Sequence, residues 1–192
     1  MKRIILALFM MLLFATSASA ETWKIDPDHS AAHFAIEHMM IAKVRGDFHG
    51  IAGKVDFKDG VPVKFDVTID VNSIDTGVDK RDTHLKSADF LDAESYPEMS
   101  FVSKKIIPVA NGFRVIGTLT IKGVSHDAEF SVAGLKDIRK DPWGNDRKGG
   151  KAELTIDRRE FNIDWNAPID GGGFMIGNDV EIIVDLEALK DK

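Results

Sequence analysis

From residue 62 to the C-terminus the chain repeats one pattern, short runs in which every second residue is apolar. Val63, Phe65, Val67, Ile69 and Val71 interleave with Lys64, Asp66, Thr68 and Asp70. Phe113, Val115, Leu119 and Ile121 alternate with Arg114, Ile116, Thr118 and Thr120, and Ala128, Phe130 and Val132 with Asp127, Glu129 and Ser131. Val180, Ile182, Val184 and Leu186 alternate with Asp179, Glu181, Ile183 and Asp185. Successive side chains on a strand point to opposite faces, so each run has one apolar and one polar face. Many such strands with no long helix between them predict an antiparallel sheet that closes or stacks to hide its apolar faces.

Met1–Ala20 stands apart from that pattern. Lys2 and Arg3 supply a basic start, Ile4–Phe14 an unbroken apolar stretch, and Ala18-Ser19-Ala20 a small-residue cleavage site. This layout predicts a secretory signal peptide, cleaved after Ala20, and a periplasmic mature protein. The apolar stretch falls short of the roughly 20 residues that span a bilayer, so no membrane-spanning segment is expected. Cleavage leaves residues 21–192, a length that suits one domain with a sizeable core. The chain has no cysteine, which removes disulfides, thiol catalysis, thiolate metal sites and a lipid-modified cysteine. Losing Lys2 and Arg3 takes the formal charge from -6 to -8. Nucleic acid and anionic headgroups are therefore not expected as bulk partners. A homodimer is compatible with everything above.

Along the mature chain, Thr22–Ile25 and Ala31–Glu37 read as the first strands. Val44–Phe57 is longer and its parity breaks near Gly50 and Gly53, which predicts a bulge or sharp bend. Asp59-Gly60 marks a turn into Val63–Val71. Asp79–Ala93 loses period 2 and suits a short helix or helical loop over one end of the sheet. Met99–Ile107, Phe113–Ile121, Val124–Leu135, Lys151–Arg158 and Asp179–Leu189 complete the strands. Turns are expected at Asn111-Gly112, Gly123, Asp141–Gly144 and Gly171–Gly173.

No constellation of reactive residues fits that strand geometry. His29 and His33 would span about 13 Å on a strand, too far to share one zinc ion, so surface histidines and no metal site are expected. In Ser125-His126-Asp127 the histidine faces away from its neighbours and cannot bridge them. Arg45-Gly46-Asp47 matches an adhesion tripeptide with nothing else to support that role. Gly171–Gly173 lacks the context of a phosphate loop. No catalytic residue and no cofactor are expected. What remains is the apolar interior, and alternation alone leaves open whether it is packed solid or encloses a cavity.

The segment Arg81–Phe101, RDTHLKSADFLDAESYPEMSF, resembles the most recognisable block of the YceI-like family, also described as polyisoprenoid-binding proteins. Trp23-Lys24-Ile25-Asp26 with His29-Ser30 is similar to the family's opening, and HMMIAKVRGDF at 38–48 to its first long-strand motif. GTLTIKG at 117–123, DPWG at 141–144 and Arg159–Ile163 also match, with Asn162 where the family usually has glycine. The resemblance implies a lipocalin-like, extended eight-stranded antiparallel β-barrel with a long apolar tunnel and one short helical segment. It also implies an isoprenoid ligand, such as a quinone tail or polyprenyl lipid, or another long-chain amphiphile.

On the apolar parity of their strands, Phe34, Ile36, Phe65, Val67, Ile69, Phe101, Val115, Leu119, Phe130, Val132, Ile182 and Val184 are expected to line the tunnel. Lys43, Arg45, Arg81 and His84 lie in the matched motifs outside the clean apolar strands. They are the candidates to meet a quinone carbonyl or phosphate at the mouth, with Arg45, Arg81 and His84 gathered at one open end. Loop-anchoring ion pairs with Asp47, Asp82 or Asp89 are the alternative for these cations. The expected function is a periplasmic, non-enzymatic carrier or store of an isoprenoid lipid. Its rival is a structural or stress-protective barrel with a filled core.

Overall fold

The alternating runs become a single closed ring of strands in the computed structural model, which describes residues 20–191. Residues 1–19 of the expected signal peptide lie outside the described residues. Strand β1 (Glu21–Ile25) leads into β2 (Ala31–His38), and β3 (Ala42–Phe48) into β4 (Ile51–Lys58). β2 pairs with β3 from His38↔Ala42 to Ala32↔Phe48, and β1 pairs with β4 from Lys24↔Lys54 to Glu21↔Phe57. Each of these two stretches therefore acts as one long strand with a bend, the second at His49–Gly50 where the parity breaks. At Gly53 a Cβ would stand 2.1 Å from the Asp66 carbonyl oxygen, so only glycine lets the neighbouring strand come this close.

The chain continues through β5 (Val61–Asp70), a two-residue β6 (Ile74–Asp75) that pairs with β3, and helix α1 (Asp79–Lys86). Next come β7 (Glu98–Val109), β8 (Gly112–Ile121), β9 (Val124–Gly134), the short β10 (Arg139–Lys140), β11 (Asp146–Asp157) and β12 (Ile176–Lys190). Each long strand pairs antiparallel with the next, and β12 closes the ring by pairing with β11 on one edge and with β2 and β1 on the other. The result is the expected eight-stranded antiparallel barrel with one short helix, and closure leaves the ring no free sheet edge.

The turns follow their residues. Asp59-Gly60 has φ of 51° and 79°, and Lys122-Gly123 48° and 71°, the left-handed pair that tight hairpins require. Met39-Met40, at the β2–β3 tip, takes φ of 52° and 60° with neither glycine nor asparagine present.

Two strand readings need correction. Val63 was expected on the inward row but is 47% exposed. Asp56 pairs with Lys64 and Phe57 with Pro62, so Val63 is an extra residue in a bulge and Pro62 takes the buried place. β11 starts at Asp146 rather than Lys151. Its first turn of sequence hides the alternation because the inward residue there is a lysine, Lys148, only 3% exposed.

Candidate functional site

The barrel interior encloses a cavity of about 360 Å³ with an almost wholly apolar wall. That volume lies within the roughly 300–1,000 Å³ typical of small-molecule sites, so the interior is not packed solid. All twelve side chains expected on the inward parity line it. Leu85, Phe90 and Leu91 add a cover at one end, because α1 and the turns after it fold across the rim.

The opposite end is sealed. Trp23 and Phe57 meet edge to face at 5.7 Å, both almost fully buried. Lys148 Nζ sits 5.4 Å and 4.8 Å from their ring centres and donates to the carbonyls of Leu135 and Lys136. Burial pushes the Lys148 ammonium below its ordinary pKa, and the rings and carbonyls supply the negative potential that holds it there.

At the rim, within this cover, His84, Phe90 and Trp165 form a cluster with ring centres 4.9–5.1 Å apart. Trp165 belongs to no alternating run, so sequence reasoning missed it. The Asn166 side chain fixes its loop by donating to the Ile176 carbonyl and accepting from the Ala167 and Ile176 amides.

The four side chains expected at the mouth separate into two pairs. Arg81 and His84 line the cavity. Arg81 Nε and Nη2 are committed to the hydroxyl and carbonyl of Thr76, each at 2.8 Å, and His84 Nε2 lies 3.0 Å from Asp89. Lys43 and Arg45 are exposed on the outer face of β3, and Lys43 pairs with Glu181. They fall on the opposite parity to Val44, Gly46 and Phe48, so they do not join the other two at the rim. Sequence reasoning also missed Arg158, which lines the cavity at 3% exposure. The signal was available: Arg158 continues the inward row Lys148, Gly150, Ala152, Leu154 and Ile156 of β11.

Beyond the sealed end, Arg147 bonds Asp26 and Asp141 at 2.6 Å and 2.9 Å, and also Glu187. Asp26, His29 and Glu187 place three donor atoms within 4.8 Å of one another. The Arg147 guanidinium already sits between Asp26 Oδ2 and Glu187 Oε1, so the cation this group needs is built into the protein. Ser125, His126 and Asp127 each bond elsewhere, to Thr120, the Glu160 carbonyl and Lys104.

An up-and-down barrel around a ligand-sized apolar cavity with one rim defines the class of lipocalin-like barrels. The family model for the YceI-like domain matches residues 23–188, and the chain belongs to that family. A UPF0312 protein of Pectobacterium atrosepticum is 35% identical over 95% of this chain and 93% of its own. Another, from Staphylococcus aureus, is 34% identical over 84% of this chain and 94% of its own. Among solved structures, BcnA of Burkholderia cenocepacia aligns with a TM-score of 0.71 at 25% identity, covering 85% of this chain and 98% of that one. The YceI protein of Campylobacter jejuni aligns at 0.69 and 29% identity over 82% and 91%. A polyisoprenoid binding domain from Saccharophagus degradans shares the fold at 0.66 and 14% identity over 88% and 98%. No described helix is long and apolar enough to cross a membrane.

Proposed function

We propose that this protein is a non-enzymatic carrier or store, exported to the periplasm, that holds an isoprenoid or similar long-chain lipid inside the barrel. The observation that carries this reading is the apolar cavity with its sealed end. Each methylene moved from water into such a wall contributes about 0.8 kcal/mol. Ten of them give about 8 kcal/mol, the scale of a micromolar complex before ordering costs are subtracted. A chain ligand therefore needs few polar contacts. The filled-core alternative has no place for a cavity of this size, and the polyisoprenoid-binding relative of the same fold agrees in ligand class.

Native mass spectrometry of protein taken from its own periplasm tests the reading. The expected result is a co-purifying lipid of defined mass on a chain that begins at Glu21. Val67→Asp, which puts a carboxylate on the cavity wall, should lose that lipid and lower stability. A ligand-free mass under several growth conditions would overturn the carrier.

A further inference from the structure

We infer that Arg158 anchors an oxyanion head inside the barrel, so that the cavity selects a long-chain carboxylate over the same chain with a neutral end. This rests on the lipid-holding reading above and adds a head to it. Arg158 is 3% exposed and lines the cavity. Its Nε donates to the Gly177 carbonyl at 2.8 Å and its Nη1 to the Ile163 carbonyl. The remainder of its donor fork has no hydrogen-bonding partner among the described residues.

No carboxylate oxygen among the described residues lies within the 4.0 Å of an ion pair with this guanidinium. Asp157 and Asp164 act on it only from farther away, and both Asp157 oxygens are bonded to Arg159. Burial pushes the Arg158 pKa below its ordinary value, the signature of a charge left short of compensation. The contrast with Arg147 is direct, since that guanidinium meets three carboxylates. A buried arginine without a counter-ion is costly to keep, and a ligand oxyanion supplies what is missing.

Position supports the same assignment. Arg158 and Lys148 stand at opposite ends of the inward row of β11, about 33 Å apart along the strand at roughly 3.3 Å per residue. Lys148 is shut in the sealed end, while Arg158 bonds the carbonyls of Ile163 and Gly177 at the other end of the row. A chain that enters tail first leaves its head beside Arg158. Arginine's planar fork matches the two oxygens of a carboxylate. Arg81, bonded to Thr76, and His84, beside Asp89, are half-buried, whereas Arg158 is shut away from solvent.

The test titrates delipidated mature protein with octadecanoate and with octadecanol at pH 8 by calorimetry. The carboxylate should bind at least ten-fold more tightly, and Arg158→Gln should bring it down to the alcohol's affinity. Because Arg158 also clamps Gly177 and Ile163, a second measurement uses the wild-type protein alone. The carboxyl of bound 1-¹³C-octadecanoate, followed by NMR, should titrate at lower pH than in free solution. Equal affinities, or a carboxyl that titrates at or above its free value, overturn the anchor and leave the lipid carrier standing. If neither amphiphile binds, the anchor also falls, and the native mass spectrum alone decides the carrier.

Discussion

Arg147, near the start of β11, and Arg158, just past its end, meet opposite surroundings, one saturated with carboxylates and the other with none in ion-pair reach among the described residues. The saturated one has a measurable pH signature. Burial pushes the Asp141 carboxyl up, but hydrogen bonds from Asn145, Arg147 and the local backbone outweigh it, and the net shift is well below the ordinary 3.8. Asp26 moves the same way, with Arg147 and His29 overcoming its burial. A carboxyl whose folded pKa is depressed adds stability above its unfolded pKa, and that stability disappears as pH falls towards the folded value. The thermal midpoint should therefore drop as pH falls below about 4. Asp141→Asn should lower the midpoint at neutral pH and flatten the acid limb, as scanning calorimetry between pH 7 and pH 2 can check. An unchanged acid limb would remove Asp141 from the network.

At the scale of elements, the β2–β3 tip is the clearest misfit between residue and conformation. Two methionines hold left-handed backbone angles that asparagine and glycine adopt with little strain. Replacing Met39-Met40 by Asn-Gly should raise stability by about 1 kcal/mol, read as a higher urea midpoint at unchanged slope. The strands themselves were legible because one face of each is buried, which locks period 2 into the sequence. Legibility failed where an inward residue is not apolar, as at Lys148, and where a bulge inserts a residue, as at Val63. It failed again at the rim. Membership in a matched motif brought Lys43 and Arg45 forward, but the parity of β3 turns them outwards. Trp165 comes from a segment without periodicity, whose side-chain directions are set by tertiary contacts such as those of Asn166. Arg158 escaped because an arginine that continues the inward row of β11 interrupts the apolar pattern.

For the molecule as a whole, closure matters more than any single contact. The family resemblance implied a tunnel where alternation alone left a packed core open, and the interior proves to be a tunnel stopped at one end by Trp23, Phe57 and Lys148. A ligand held there can depart only the way it came. Protein loaded with a fluorescent polyene fatty acid should release it in stopped flow at a rate that does not change with the concentration of an unlabelled competitor. A rate that climbs with competitor would mean that a second molecule can enter while the first is still inside. Such a barrel cannot pass cargo through itself from a supplier on one side to a customer on the other. It is a cul-de-sac, and under the carrier role proposed above both parties would call in turn at the same doorstep. The direction of any delivery then depends on the order of the visits.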